Sequence, residues 1–242
     1  MDFSLIIPAL NEKNRLPPFL LALSRKLKEA LLSAEIIIVD DGSREEDYQT
    51  YLKTASSINI LPIRILRHDK NQGKGAAIQT GFRNASGNWI GFVDADGSTS
   101  PQEIVRLIKT ALSLPDSDGL FASRILMLGY NVDRRLIRHF TGRIFTTLAW
   151  IFLGIPVYDS QCGCKFFKKD KINPFLRLCQ EQGYLLDLEL IAIGYLNKLN
   201  FLEVPINWRH IPGSKVNLFS DSLKMALGIL KIRSRLKKLK LL

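Results

Sequence analysis

Four short apolar runs in the first hundred residues alternate with segments of helical periodicity, and this alternation constrains the fold more than any other feature. The apolar runs are residues 3–8, 35–39, 63–66 and 89–93. The helical patterns are residues 16–33, 48–56, 75–85 and 101–113. Buried strands that alternate with helices form a mainly parallel sheet flanked by helices, so the sequence predicts an α/β fold.

The pattern becomes less regular after about residue 118. A basic segment leads there into an apolar stretch at residues 144–158, which a glycine and a proline interrupt. That stretch is shorter than the ~20 apolar residues of a membrane-spanning helix, so we expect no membrane span. Further on, residues 183–197 are typical of a helix, residues 201–206 of a strand, and the tail from residue 222 of a helix.

Net charge, cysteine content and the absence of recognisable modules limit the partners and the class of this protein. The 242 residues carry a formal net charge of +11, which favours an anionic partner such as a phosphorylated substrate or a lipid surface. We expect no nucleic acid partner, because no recognisable nucleic-acid-binding module is present. The odd count of Cys162, Cys164 and Cys179 argues against a disulfide scaffold. Cys162 and Cys164 lack a second ligand pair at zinc spacing, so we expect a structural role for them. No signal-peptide pattern is visible, and a cytoplasmic location is expected.

Asp94 and Asp96 directly follow the fourth apolar run and give the strongest functional signal. Two carboxylates at a strand end can converge on one ion, and their hard oxygen atoms suit Mg²⁺ or Mn²⁺. A cation held there would neutralise a pyrophosphate leaving group. An ordinary turn is one alternative. Another is the nucleophile motif of haloacid-dehalogenase-type phosphatases, although that motif belongs on the first strand and needs a later acidic pair that this chain lacks.

Two further polar turns adjoin the predicted strands and helices. Asp40 and Asp41 end the second run, where a carboxylate could accept the imide N–H of uracil, or where the turn could lead into a helix capped by Ser43. Gly73 and Lys74 open the third helix, where glycine allows close backbone approach and helix amides favour anions, or where the helix simply begins. Parallel sheets bind ligands at the carboxyl ends of their strands, so we expect these turns to meet.

Nine motifs follow one another in a characteristic order. They are Pro8-Ala9-Leu10-Asn11-Glu12, Val39-Asp40-Asp41-Gly42-Ser43, Asn71-x-Gly73-Lys74-Gly75, Asp94-Ala95-Asp96-Gly97, Ser123-Arg124, Asp159-Ser160-Gln161-Cys162-Gly163-Cys164-Lys165, Leu186-Asp187-Leu188-Glu189-Leu190, Glu203-Val204-Pro205-Ile206-Asn207-Trp208 and Gly213-Ser214-Lys215. The set resembles the inverting glycosyltransferases of family 2, and within them the polyprenyl- or dolichyl-phosphate glucosyltransferase branch, which is close to the dolichyl-phosphate mannose synthases. The resemblance covers roughly residues 3–235.

The resemblance implies a GT-A fold: a Rossmann-like, mainly parallel sheet flanked by helices, with C-terminal amphipathic helices at a membrane interface. Residues 1–220 would form the GT-A domain, and residues 221–242 a basic amphipathic helix. Within the domain, residues 1–118 would bind the nucleotide sugar and residues 119–220 the acceptor.

The resemblance also implies that a hexose moves with inversion to a polyprenyl or dolichyl phosphate. UDP-glucose is the favoured donor, with UDP-N-acetylglucosamine and GDP-mannose open. Nucleotide-sugar binding is implied for Pro8, Leu10, Asn11, Glu12, Asp40, Asp41, Gly73, Lys74, Asp94 and Ala95. Asp94 and Asp96 would hold the Mg²⁺ or Mn²⁺, and the catalytic residues would be Asp96, Arg124 and Asp159. Asp159 would orient or deprotonate the acceptor, or serve as a structural cap.

Several cations are implied ligands of the acceptor phosphate. They are Arg124, Arg134, Arg138, Lys165, Arg209 and Lys215. Arg134 and Arg138 lie four residues apart and would share a helix face. Asp187 and Glu189 lie two apart, so at most Asp187 would face the site. A transferase that acts on a non-lipid glycan, or a non-catalytic basic membrane-binding module, are the alternative functions.

The tail combines an apolar stripe with basic flanks. The stripe, spaced 4-3-4-3, consists of Met225, Ile229, Ile232, Leu236 and Leu239. Seven Lys and Arg residues and no acidic residue follow position 221. This pattern predicts a helix at the interface of an anionic membrane, attached peripherally on the cytosolic face. A terminal helix packed on the core with a solvated basic edge would give the same pattern.

Overall fold

The computed structural model of the protein describes residues 1–125, 127–133, 136–211 and 218–239, with the backbone alone for residues 136–141 and 218–224. Its strands are β1 (Phe3–Ala9), β2 (Ala34–Asp40), β3 (Ile63–Arg67), β4 (Trp89–Val93), β5 (Gly119–Ser123), β6 (Val132–Asp133), β7 (Cys164–Lys168), β8 (Phe201–Pro205) and β9 (Trp208–Arg209). Its helices are α1 (Leu16–Glu29), α2 (Glu45–Ser56), α3 (Lys74–Asn84), α4 (Pro101–Ser113), α5 (Leu136–Leu153), α6 (Lys169–Leu176), α7 (Leu186–Leu196) and α8 (Leu218–Lys238).

Seven strands form one sheet in the order β3-β2-β1-β4-β7-β5-β8. The pairs β2–β3, β1–β2, β1–β4 and β5–β8 are parallel, whereas β7 runs antiparallel to both β4 and β5. The short strands β6 and β9 pair separately. The predicted mainly parallel α/β sheet is confirmed.

Helices cover both faces of the sheet because successive strand residues point to opposite sides. In β2, Ile36 and Ile38 pack into one core cluster, while Ile37 and Val39 pack into the other, and all four are fully buried. The first cluster is covered by α1, α4 and a tyrosine of α2, and the second by α3, α5, α7 and α8. This three-layer arrangement leaves the carboxyl ends of β1, β2 and β4 free to carry a site.

Strands β5 and β7 and helix α6 were not predicted from the sequence. Strand β7 inserts between β4 and β5 and reverses the chain direction, so it interrupts the β–α alternation on which the prediction depended. The apolar stretch at residues 144–158 begins within α5, which packs Phe145, Ala149 and Leu153 into the core. In the part of the chain that the structure describes, no helix is long and apolar enough to cross a membrane.

The apolar stripe of the tail lies in the protein interior. Ile229, Ile232 and Leu236 of α8 are at most 1% exposed and belong to the same core cluster as α5. Met225 packs against that cluster, and Leu239 is 43% exposed. The interpretation of this stripe as the membrane-facing surface is therefore wrong, because the stripe buries its apolar area against α5 and the sheet instead. The alternative of a core-packed terminal helix with a basic edge is confirmed.

Candidate active site

A cavity of about 340 Å³ opens at the carboxyl ends of β1 and β4, beside the start of α3. Its lining is Pro8, Ala9, Leu10, Glu12, Arg15, Asp41, Asn71, Gly73, Lys74, Asp94, Ala95, Asp96, Gly183 and Tyr184. The strand-end turns that the sequence singled out thus meet in one place, as a parallel sheet requires.

The acidic turn after β4 is held from two sides. The backbone N–H of Asp94 donates to the carbonyl of Gly163 at 2.9 Å, and the Asp94 carboxylate forms an ion pair with Lys74. The same carboxylate packs so closely on Gly163 that an added Cβ there would overlap it. Asp96 accepts the N–H of Ser98 at 2.9 Å. Burial and then the charge of Asp94 raise the pKa of Asp96, so the turn concentrates negative charge.

The turn before α3 depends on the carboxylate of Asp41. Gln72 and Gly73 donate their backbone N–H groups to the two oxygens of Asp41 at 2.9 and 2.8 Å. Gly73 has a φ of 104°, a conformation that favours glycine. Burial favours the neutral amine of Lys74, but the adjacent Asp94 outweighs this and raises the Lys74 pKa. A charged ammonium group therefore borders the cavity.

Asp40 and Asp41 face different surroundings although they are neighbours. Asp41 lines the cavity, where His68 also contacts its Oδ1 through Nδ1 at 2.8 Å. Asp40 is fully buried outside the lining; it accepts the N–H of Ser43 at 3.1 Å and pairs with Arg67 at 3.2 Å. The structure thus favours Asp41 over Asp40 as the residue that meets a ligand. Ser43 does not cap α2, which starts at Glu45.

Arg124 and Asp159 form a buried, two-pronged ion pair. Arg124 Nε and Nη2 donate to Asp159 Oδ2 and Oδ1 at 2.7 and 2.8 Å, and the Arg124 N–H donates to Oδ2 at 2.9 Å. Glu203 accepts the backbone N–H groups of Tyr158 and Asp159 at 2.6 and 2.7 Å, and its burial raises its pKa. Because both Asp159 oxygens bind Arg124, the carboxylate holds the guanidinium group in a fixed orientation.

Lys165 does not fit its predicted role as a ligand of the acceptor phosphate. Its side chain is fully buried in the central strand β7, where Nζ donates to the Cys162 carbonyl at 2.5 Å and to Asp187 Oδ2 at 2.7 Å. An ammonium group that is buried and paired in this way cannot reach an acceptor, so the predicted role is not supported. Lys165 instead positions Asp187.

Asp187 and Glu189 point to different places, as their spacing predicted. Asp187 pairs with Lys165 near the cavity, whereas Glu189 accepts the backbone N–H groups of Gln180 and Glu181, each at 2.8 Å. Glu189 is therefore part of the support of residues 180–184 rather than of the cavity itself.

Five lining residues were missed as ligand candidates, of which Ala9 and Asn71 lie within two of the motifs. Arg15 lies in the loop after β1, pairs with Glu12 and is electrostatically coupled to Asp94 and Asp96. Its position in a loop at the carboxyl end of a strand could have identified it as a ligand candidate, because parallel sheets bind ligands there. Gly183 and Tyr184 reach the cavity from the loop before α7, and no local pattern marks them.

Other predicted residues are not gathered at the cavity. Asn11 is absent from the lining; its backbone N–H donates to Ser43 Oγ at 2.8 Å, and its side chain accepts the Arg44 N–H at 3.0 Å. Arg209 is exposed on β9. Arg134 and Lys215 lie outside the described residues, and Arg138 is described by its backbone alone.

The three cysteines are free and buried. Burial raises the pKa of Cys162 to about 12, so this thiol stays protonated and unreactive at neutral pH.

Similarity to known proteins identifies the family to which this protein belongs. The sequence matches the family described as Glycosyl transferase family 2 over residues 4–175. The chain belongs to that family. Family membership excludes the haloacid-dehalogenase-type alternative and makes this protein a glycosyltransferase.

Among family-2 relatives, the dolichyl-phosphate beta-glucosyltransferase of Saccharomyces cerevisiae is 31% identical over 95% of this chain and 73% of its own length. The proteins of the same name from Dictyostelium discoideum and Homo sapiens are 32% and 29% identical over 96% and 97% of this chain. They are covered over 74% and 75% of their lengths. The resemblance inferred from the motifs is confirmed.

The fold of this family-2 enzyme also occurs in solved structures. Glucosyl-3-phosphoglycerate synthase from Mycobacterium tuberculosis, in complex with Mn²⁺ and UDP-glucose, gives a TM-score of 0.71 at 18% identity and covers 97% of this chain and 78% of that one. Its complex with UDP gives a TM-score of 0.70, also at 18% identity, over 97% of this chain and 79% of that one. At this identity the likeness concerns the fold alone, and the predicted GT-A class is confirmed.

Proposed function

We propose that this glycosyltransferase moves a glucosyl group from UDP-glucose to a polyprenyl or dolichyl phosphate, with inversion at the anomeric carbon. The observation that carries the proposal is the similarity to dolichyl-phosphate beta-glucosyltransferases over 95% of the chain. That span includes both the turns around the cavity and the segments that hold Arg124 and Asp159.

In this proposal the donor occupies the cavity at the strand ends. Pro8 and Leu10 border the nucleotide, and Asp41 accepts the imide N–H of uracil. A carboxylate has about four lone-pair sites, so Asp41 can accept this hydrogen bond in addition to those from its present partners. The positive groups of Lys74 and Arg15 bind the diphosphate, since both line the cavity.

The residues of the acidic turn fit a divalent cation. Asp94 and Asp96 supply hard oxygen atoms. Burial and then the charge of Asp94 raise the pKa of Asp96, and a bound cation would offset both effects. The described part of the chain contains no group of three or more candidate ligands. Mg²⁺ is commonly held by one or two carboxylates together with substrate phosphates, so two suffice. Bound there, Mg²⁺ or Mn²⁺ would act as a Lewis acid that neutralises the departing diphosphate.

The acceptor needs charge control more than a base. A phosphate monoester has its second pKa near ~6 and is largely ionised at neutral pH, so its oxygen is already a nucleophile. Arg124, held in place by Asp159, supplies a fixed positive charge of the kind that stabilises such a transfer. Arg134, Arg138, Arg209 and Lys215 complete the proposed acceptor side.

Peripheral attachment to the cytosolic face of a membrane is part of the proposal, through a different surface from the buried stripe. On α5, Ile144, Trp150 and Ile151 are each about 60% exposed. On the adjacent α8, Leu227 and Leu230 are exposed. We call these five residues the apolar face; α8 also carries the exposed Lys231, Lys237 and Lys238. Apolar side chains with basic neighbours are typical of protein surfaces that bind anionic membranes.

A donor panel tests the proposal. Labelled UDP-glucose, UDP-N-acetylglucosamine and GDP-mannose are each offered with a short polyprenyl phosphate, with Mn²⁺ and with a chelator. We expect metal-dependent transfer from UDP-glucose, and tighter binding of UDP than of GDP by calorimetry. Transfer from GDP-mannose alone, or glucose transfer to a glycan but not to the lipid, would overturn the donor or the acceptor assignment respectively.

A further inference from the structure

The loop of residues 180–184, between α6 and α7, forms one wall of the donor cavity. Gly183 and Tyr184 line the cavity beside the turn that carries Lys74. The carbonyl of Gln182 accepts the N–H of Ala76 in the first turn of α3 at 3.0 Å. An added Cβ on Gly73 would overlap that same carbonyl. The loop and the turn therefore fit together without spare space, and a shift of one displaces the other.

The loop is also held by contacts with α8. Arg235 of α8 forms an ion pair with Glu181 and a second with Glu189, at 3.3 Å. Glu189 is 1% exposed, and its Oε2 accepts the backbone N–H groups of both Gln180 and Glu181 at 2.8 Å. One arginine thus bridges Glu181 of the loop and Glu189, the carboxylate that fixes the start of the loop.

A second contact joins α8 to the end of the loop. Gly228 of α8 packs against Leu185 so closely that an added Cβ would overlap the leucine side chain. Leu185 is itself 5% exposed and directly follows Tyr184. Both ends of the loop therefore rest on one helix, far along the chain from the nucleotide-binding turns.

We propose that Arg235 is a positioning residue for the donor site: through Glu181 and Glu189 it fixes the loop of residues 180–184 against the turn of Gly73 and Lys74. The effect on donor binding rests on the proposed function. A loosened wall must be ordered when the donor binds, and that ordering weakens affinity. Helix α8 also carries part of the apolar face. The contact of Arg235 with the loop therefore links that face to the donor cavity.

Three variants test the proposal: Arg235→Met, Arg235→Lys and the control Arg233→Met. Arg233 lies on the same helix, but its guanidinium group lies over the ring of Phe152 of α5, with Cζ 5.5 Å from the ring centroid. We expect Arg235→Met to raise the dissociation constant of UDP and the donor KM about tenfold, while kcat changes less than about twofold. Arg235→Lys should restore most of the affinity, and Arg233→Met should leave it unchanged.

Hydrogen exchange separates the two proposals. The amides of Gln180 and Glu181 should exchange faster in Arg235→Met than in the unmodified protein, and at the original rate in Arg233→Met. Unchanged exchange, unchanged UDP affinity, or equal losses in both variants would overturn the positioning role. If exchange accelerates as expected but no variant, including the unmodified protein, binds UDP, the positioning of the loop stands and the donor assignment falls.

Discussion

At the scale of single residues, the site is a set of carboxylates with different partners. Asp41 binds backbone amides, Asp94 binds Lys74, and Asp159 binds Arg124. The three carboxylates therefore have separate roles, since one shapes a turn, one balances charge and one orients a cation. The pKa of Asp96 is raised, because burial and then the charge of Asp94 both disfavour its charged form.

The raised pKa of Asp96 predicts opposite effects on stability and activity. Above the folded-state pKa, the ionised carboxylate destabilises the metal-free protein; as pH falls through that pKa, the group is protonated and the cost disappears. Asp96→Asn should therefore raise the melting temperature at neutral pH in chelator, with the difference shrinking toward about pH 4, near the ordinary Asp pKa. It should also abolish turnover, because a proposed metal ligand is lost.

Thermal unfolding at both pH values and the transfer assay measure these effects. The matched control is Asp116→Asn, a change at an exposed position. It should alter neither the melting temperature nor the turnover. Normal metal-dependent turnover by the Asp96 variant would remove Asp96 from the proposed site.

Gly163 predicts a test of the Asp94 position. An added Cβ would overlap the Asp94 carboxylate, so Gly163→Ala should push that carboxylate aside while the strands stay paired. Displacement of a reacting group by about 1 Å can cost about 100-fold in rate, and we expect a loss of that size. Gly129→Ala is the control: it strains a φ of 89°, but its Cβ would meet nothing within 4 Å. Equal activities of the two variants would contradict the importance given to the Asp94 contact.

At the scale of elements, α8 has two faces with different roles. Its apolar stripe joins the core, and its outer side carries Leu227, Leu230 and exposed lysines. The long stems of lysine allow the ammonium groups to extend from such a surface toward lipid phosphates.

The lysines of α8 predict a charge-dependent membrane contact. Replacing Lys231, Lys237 and Lys238 together by Gln should weaken the free energy of binding to anionic vesicles, measured by flotation, by up to ~1 kcal/mol per residue. Added salt should weaken the binding of the unmodified protein in the same way. The matched control replaces the exposed Lys28, Lys53 and Lys109, which lie on helices of the opposite layer. Equal flotation of the two triple variants would refute the orientation proposed for α8.

At the scale of the whole molecule, α8 is part of the main core. Ile232 is fully buried, whereas Leu230, two residues away, is 46% exposed. Ile232→Ala should therefore lower the free energy of unfolding by ~2–5 kcal/mol. Leu230→Ala should change it by about 0.5 kcal/mol or less. Urea denaturation of both variants measures the contrast, and similar costs would show that α8 is not packed as described.

Much of the first half of the molecule could be predicted from local patterns. Helix α4 and strand β4 have the predicted bounds, and α3 is displaced by one residue. Helix α1 ends at Glu29 rather than at residue 33, since Leu31 has a φ of 55° and leaves the helical conformation. The turns at Asp41, Gly73 and Asp94 meet because parallel strands bring their carboxyl ends to one edge.

The sequence by itself determined the alternation of strands and helices and the chemistry of the strand-end turns, because both depend on neighbouring residues. Tertiary structure decided that Lys165 is buried, that Gly183 and Tyr184 line the cavity and that the stripe of α8 faces the core. These features depend on partners distant in sequence: β7 inserts between β4 and β5, and Arg235 meets Glu181. An apolar stripe between basic flanks suits a membrane as well as a protein core, and only the packing partner distinguishes the two.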